Sequence, residues 1–390
     1  MTALAAKPFG PDPVHADRVH SIETHILKIP TIREHKLSSL SVTDQAYVLV
    51  RLKTKDGLEG IGEASTLGGP RWAEESVETI KAVIDTYLAP ALIGHPIEMI
   101  RAARLQMDKA AKRNNAAKAA IETALFDVLG KHLNVPVSTL LGGAVRSHVP
   151  VLWALASGDP VQEIEEALSM IEADRHCEFK IKIGAQSPAD DIRRLETIVT
   201  GLGKRGHLKV IDANQAWDES TADHYMPALE DLDIGLLEQP VPDWNIDGMA
   251  RLAARHRLPI LADESVFSSQ DAARVGNAAA ADAVSLKLVK SGGLLAMRDV
   301  AAVADANGLG LYGGCLLESA VGTAAHLHVF AALPNLQWGS ESFGPLILRD
   351  EIVTEPLTYR DFGVIIPDGP GLGVTLDEDK VAFFTREGGA

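Results

Sequence analysis

Cysteine is scarce in this chain: Cys177 and Cys315 are the only two among 390 residues. Both sit in apolar stretches without zinc-type spacing, which excludes a disulfide framework and a cysteine-built metal site and leaves core packing as their expected use. That usage fits a reducing, cytoplasmic setting. No run of 18 apolar residues occurs, so no ordinary membrane-spanning helix is expected. No Lys/Arg-rich run occurs either, and 37 basic residues face 53 acidic ones for a net charge of −16. Nucleic acid is therefore not an expected partner. An anionic small molecule is not excluded, because a metal and lysines can make one pocket locally positive. Residues 1–18, rich in Ala, Pro and Gly, lack the basic and then apolar pattern of a signal peptide and read as a disordered tail. What the chain does have is a 46% hydrophobic composition, enough for a large core.

Two grammars divide it. Residues 19–28 alternate apolar and polar, 46–54 are rich in Val and Leu, and Lys55-Asp56-Gly57 is a tight turn into 58–63, which predicts a three-stranded antiparallel meander. The stretch 65–72, with Gly68, Gly69 and Pro70, cannot be regular and reads as a loop able to serve as a lid. Helical spacing fills 74–88, 97–111, 115–132 and 137–141, so 19–145 is expected to be an α+β domain. From residue 149 strands and helices alternate: strands at 149–156, 179–183, 208–212, 235–238, 260–262, 283–287 and 309–312, with 335–339 as an eighth. No GxGxxG opens this series, which favours a parallel β/α barrel over 146–345 rather than an open sheet. The remaining segment, 346–390, breaks the alternation and is expected to pack back on the first domain.

Three of the strands close on a carboxylate at even spacing: Asp212, Glu238 and Asp263 lie 26 and 25 residues apart. Lys180 and Lys182 lie one unit earlier and Lys287 one unit later. A β/α unit takes roughly 30 residues, so each unit delivers a charged group to the same strand end, which in a β/α barrel is where chemistry sits. Three carboxylates together repel one another without a cation, and hard oxygen donors suit Mg²⁺ or Mn²⁺. Lys180 and Lys182, two apart on a strand, face the same way. Desolvation and neighbouring cations lower a lysine's pKa, so all three lysines are candidate bases. Metal plus lysine suits proton transfer beside a carboxylate.

These residues resemble the enolase superfamily in its muconate-lactonizing subgroup, through Phe179-Lys180-Ile181-Lys182-Ile183-Gly184, Asp212-Ala213-Asn214-Gln215, Leu237-Glu238-Gln239-Pro240, Ala262-Asp263-Glu264-Ser265, Ser285-Leu286-Lys287 and Tyr312-Gly313-Gly314-Cys315-Leu316-Leu317-Glu318-Ser319. Finer motifs, Pro30-Thr31-Ile32-Arg33 and Phe343-Gly344-Pro345 among them, resemble its muconate cycloisomerase branch. The resemblance implies a modified TIM barrel, (β/α)7β, with an N-terminal α+β capping domain, and a homo-octamer. It implies metal-assisted syn-cycloisomerisation of cis,cis-muconate, a dicarboxylate, to muconolactone through an enediolate, in catechol and β-ketoadipate degradation. Asp212, Glu238 and Asp263 would then be metal ligands, Lys182 the acid or base, and Lys180 and Lys287 charge-stabilising partners. Glu318 would hold a substrate carboxylate or orient a lysine. Asn214 and Glu264 would support the ligands, and Leu67, Arg71 and Trp72 would close over the distal carboxylate. Leu67 and Trp72 replace the branch's frequent isoleucine and tyrosine, and Cys315 its threonine. The Gly68-Gly69-Pro70 and Trp72 region is closer to chloromuconate cycloisomerases, while Glu318 matches the muconate enzymes. Dipeptide epimerases, N-acylamino acid racemases and o-succinylbenzoate synthases share the scaffold and stay open as alternatives. A metal-free Schiff-base aldolase is a distant one.

Overall fold

The computed structural model describes residues 17–36 and 41–388. Most of the expected tail lies outside them. Asp17 and Arg18 do not belong to a tail: Arg18 bridges to Pro96 and donates from Nη1 to the Gly94 carbonyl at 2.8 Å.

The meander forms as strands β1 (Val19–Lys36), β2 (Ser41–Thr54) and β3 (Glu59–Thr66), in the antiparallel order β1-β2-β3. Gly57 takes the positive φ of 89° that its turn requires. One face of the sheet lies on the Asn115–Leu133 helix, in which every residue from 116 to 130 is buried. Alanine both favours that helix and lets backbone approach backbone. A Cβ at Gly60 would stand 2.2 Å from the Ala124 carbonyl oxygen, and one at Gly62 2.0 Å from that of Ala120, so the two glycines of β3 set the contact distance.

The barrel sheet is parallel, in the order β11-β10-β9-β8-β7-β6-β5. Its strands are β5 (Trp153–Leu155), β6 (Glu178–Lys182), β7 (His207–Asp212), β8 (Leu236–Glu238), β9 (Ile260–Ala262), β10 (Ala283–Leu286) and β11 (Gly310–Gly313). Residues 149–156 are not one strand. His148–Pro150 (β4) pairs antiparallel with β13 (Gly363–Ile365), itself in a hairpin with β12 (Tyr359–Arg360), and only the later part joins the barrel. The eighth strand shrinks to a bridge. Residues 335–339 form no strand; Ser340 alone pairs with both Gly313 and Val151 and closes the circle. The final helix, Glu378–Gly388, follows Leu376, which bridges to Val353, and Glu378 pairs with Arg51 of β2 at 2.7 Å. Among the described residues no helix is long and apolar enough to cross a membrane.

The capping sheet grips the loop after β11 by hydrogen bonds. Tyr47 donates to the Leu317 carbonyl at 2.6 Å, and Gln45 donates to those of Leu316 at 2.7 Å and Thr66 at 3.0 Å. Glu63 of β3 accepts from the Ser319 amide at 3.0 Å and from its hydroxyl, at the start of the Ala320–Ala332 helix. Glu351 accepts from the Ala320 amide at 3.2 Å. Burial pushes Glu63 up to about 8, with Glu318 adding to it, and pushes Glu351 up to about 7. A carboxyl raised in the folded state binds more protons than the unfolded chain between about pH 4.5 and 8, so stability falls as pH rises through that window. Thermal melting is therefore expected to drop by several degrees from pH 5.5 to 8.5, and Glu63→Gln to flatten much of that slope. An unchanged slope in the variant would contradict this assignment.

Candidate active site

Strand register brings the charged strand ends together. Lys182 pairs with Asp212 across β6 and β7, and Asp212 with Glu238 across β7 and β8. Asp263 follows β9 directly and Lys287 follows β10. Lys180 Nζ stands 2.8 Å from Glu238, 3.1 Å from Asp212 and 3.0 Å from Glu341. Lys182 Nζ donates to Asp212 at 2.7 Å and to Asn214 Oδ1 at 3.0 Å. On the opposite side Lys287 reaches Asp263 Oδ2 at 2.6 Å and Lys290 reaches Oδ1 at 2.7 Å. Asn214, held at a φ of 40°, donates to Glu264 at 3.2 Å and so ties two strand ends together. Lys182 is the most open of the four lysines, with 12% of its side chain exposed against 2% for Lys180 and 3% for Lys287.

The electrostatics reverse one expectation. Burial alone would lower the pKa of Lys180 and Lys287, but the carboxylates outweigh it and hold both above the usual lysine value. Asp212, despite its burial, is held down at about 2 by Lys180 and Lys182, and Asp263 well below its usual value by Lys287 and Lys290. Glu238 goes the other way: burial and then the Asp212 charge raise it. Its Oε1 has no hydrogen-bond partner among the described residues. Nor do any three His, Cys, Asp or Glu side chains there converge at metal-ligand distance. The ammonium groups lie between the carboxylates and keep them apart. The donor set nevertheless fits a divalent cation: hard oxygens on three adjacent strand ends, one of them fully buried and unpartnered.

A small cavity lies between this cluster and the capping domain, lined by Lys180, Lys182, Lys287 and Glu341 on the barrel side and by His35, Leu67 and Trp72 on the other. The loop carries Leu67 inward, buried. The Trp72 ring lies 4.4 Å from Lys287 Nζ and stacks on Phe267 with centroids 6.2 Å apart, a cation–π contact over a candidate base. Arg71 is exposed and does not line the cavity. Glu318 accepts from the Leu316 amide at 2.9 Å and from Ser65, with no lysine among its hydrogen-bond partners, so its carboxylate braces the loop.

Comparison with known proteins agrees with this arrangement. Residues 21–142 match the mandelate racemase/muconate lactonizing enzyme N-terminal domain, and 162–380 the enolase C-terminal domain-like model. The chain belongs to the mandelate racemase/muconate lactonizing enzyme family of the enolase superfamily. It is 48% identical over 371 residues to muconate cycloisomerase 1 of Pseudomonas putida, covering 95% of this chain and 98% of that one. It is 46% identical over 369 residues to a chloromuconate cycloisomerase of Pseudomonas sp. (strain P51), covering 95% and 99%. The muconate lactonizing enzyme from Pseudomonas fluorescens complexed with muconolactone superposes with a TM-score of 0.93 at 45% identity, covering 95% and 100%. The modified barrel with its capping domain is the fold of this family.

Four contributors were not legible as site residues. Lys290 lies in the short Leu288–Ser291 helix that Lys287 precedes, and its side chain reaches the same Asp263 carboxylate as Lys287. Glu341 follows the bridging Ser340, the same strand-end position as the other carboxylates, displaced by the shrunken strand. His35 sits near the end of β1 and Phe267 in a loop, with no spacing to announce them. Lys290 is 1% exposed and also donates to the Asp263 and Ser285 carbonyls, both at 2.8 Å. Lys290→Met is expected to cost about 3–5 kcal/mol in denaturant unfolding by leaving these buried acceptors uncompensated; a loss under about 1 kcal/mol would show that they find other partners.

Proposed function

We propose that this chain is an isomerase, a cycloisomerase that interconverts cis,cis-muconate and muconolactone. The observation that carries the reading is the register pairing of Lys182 with Asp212 and of Asp212 with Glu238, beneath a cavity capped by Leu67 and Trp72. Asp212, Glu238 and Asp263 would hold a divalent cation, Mn²⁺ or Mg²⁺, which when bound acts as a Lewis acid toward a substrate carboxylate and takes over the carboxylate charge that otherwise keeps Lys180 and Lys287 protonated.

The substrate's other carboxylate adds to the double bond conjugated with the first carboxylate, at the end remote from that carboxylate, forming the lactone C–O bond. The electron pair released moves to the carbon beside the first carboxylate. Lys182, the most open of the lysines, gives that carbon its proton and in the reverse direction removes it. Lys180, fixed by Asp212, Glu238 and Glu341, keeps positive charge where negative charge builds up. Lys287 faces the cavity from the other side, under Trp72. Asn214 and Glu264 keep the strand ends in register with one another, and Glu318 holds the loop after β11. Leu67 and Trp72 exclude water.

A chlorinated muconate is the second reading. The 46% identity to a chloromuconate cycloisomerase supports it, and so does Trp72, an apolar wall of the cavity backed by Phe267 and suited to a larger substituent. By resemblance the assembly is a homo-octamer, which light scattering measures.

Purified protein with Mn²⁺ is expected to consume cis,cis-muconate, followed as loss of diene absorbance, and to stop in excess chelator. Turnover that survives complete metal removal would refute the metal role. Lys182→Ala is expected to lower kcat by roughly 10³-fold while Mn²⁺ still binds; near-normal kcat would remove Lys182 from the proton-transfer role. No loss of absorbance with muconate or its chlorinated analogues would move the reading to the epimerases and racemases.

A further inference from the structure

We propose that His35 is a substrate-binding residue, whose ring N–H holds the carboxylate that attacks the double bond, the one remote from the lysine cluster. The proposal rests on the cycloisomerase reading and adds a residue that neither the strand-end spacing nor the lysine–carboxylate cluster accounts for. His35 lies near the end of β1, is 2% exposed, and lines the cavity from the capping side, whereas Lys180, Lys182 and Lys287 line it from the barrel. Its Nδ1 has no hydrogen-bond partner among the described residues. A buried polar atom without a partner costs free energy unless something else satisfies it. Phe343 stands beside the ring, with centroids 6.5 Å apart, and cannot serve as acceptor for an in-plane N–H.

The charge distribution favours this end of the cavity for the attacking carboxylate. Burial, with Arg33 and the two β6 lysines behind it, keeps the imidazole uncharged. The attacking carboxylate loses its negative charge as it becomes an ester. A cation at that end would stabilise the starting dianion more than the transition state and so slow the step. A neutral donor orients the oxygen without that penalty. Cations are useful at the other end, where negative charge appears, and that is the wall on which all the cavity lysines stand.

The test measures binding apart from turnover. Adipate, a six-carbon dicarboxylate with no double bond to react, and sorbate, a six-carbon diene with only one carboxylate, are titrated against the Mn²⁺-loaded protein by calorimetry. His35→Leu is expected to weaken adipate by about 10- to 100-fold, the range for a hydrogen bond to a charged group, and to leave sorbate within about threefold. His35→Gln, which keeps a neutral donor, is expected to restore most of the adipate affinity. In turnover, His35→Leu is expected to lower kcat/KM for muconate by a similar factor. Unchanged adipate binding in His35→Leu would overturn the proposal. Equal weakening of adipate and sorbate would also overturn it, by showing a collapsed cavity. If wild-type protein binds adipate in a His35-dependent way but turns over no muconate, the cycloisomerase reading fails while the carboxylate contact stands.

Discussion

Three buried lysines and the partly exposed Lys182 interleave with five buried carboxylates at one end of the barrel, and the rest of the molecule is arranged around that lattice. No member could be buried alone, since an isolated ion in a protein interior costs several kcal/mol. Lys180 is shared by Asp212, Glu238 and Glu341, and Asp263 by Lys287 and Lys290, so the pairs are linked rather than isolated. Glu238 and Glu264 are left partly uncompensated: each has a carboxylate oxygen without a partner among the described residues, and both carboxyls are pushed up. The site thus has room for one more positive charge on the barrel axis. That single imbalance links the fold to its chemistry.

Holding such a lattice requires a scaffold that does not yield. Parallel register places the strand ends side by side, and β3 fixes the lid by lying against the Asn115–Leu133 helix through Gly60 and Gly62. The capping sheet then reaches into the barrel through Gln45, Tyr47 and Glu63, all bonded to the loop that carries Leu316 to Ser319. One sheet therefore positions the lid and the substrate-facing loop at once. On the proposed function, specificity belongs to that joint and proton transfer to the barrel.

Much of this was legible in the sequence because it is periodic. Asp212, Glu238 and Asp263 repeat with the β/α unit, and the motifs around them resemble those of the family to which the chain belongs. Periodicity fails where an element degenerates. The eighth strand is a bridge at Ser340, so Glu341 escaped notice although it obeys the same strand-end rule. It fails also for single side chains that reach the site from elsewhere, as His35 does by lining the cavity and Phe267 by backing Trp72. The lysine pKa directions were not legible either. Sequence spacing puts cations near one another, whereas the folded site puts each of them closer to carboxylates. Arg71 illustrates the limit for loops: its place in the lid was evident, its side-chain direction was not.

The account stands on one event, delivery of a proton from solvent-exchangeable Lys182 to the carbon beside a substrate carboxylate. Converting muconate in D₂O and recording the ¹H NMR spectrum of the lactone tests it directly. The account predicts a single deuterium at that carbon. Lactone formed by the protein without deuterium there would contradict it.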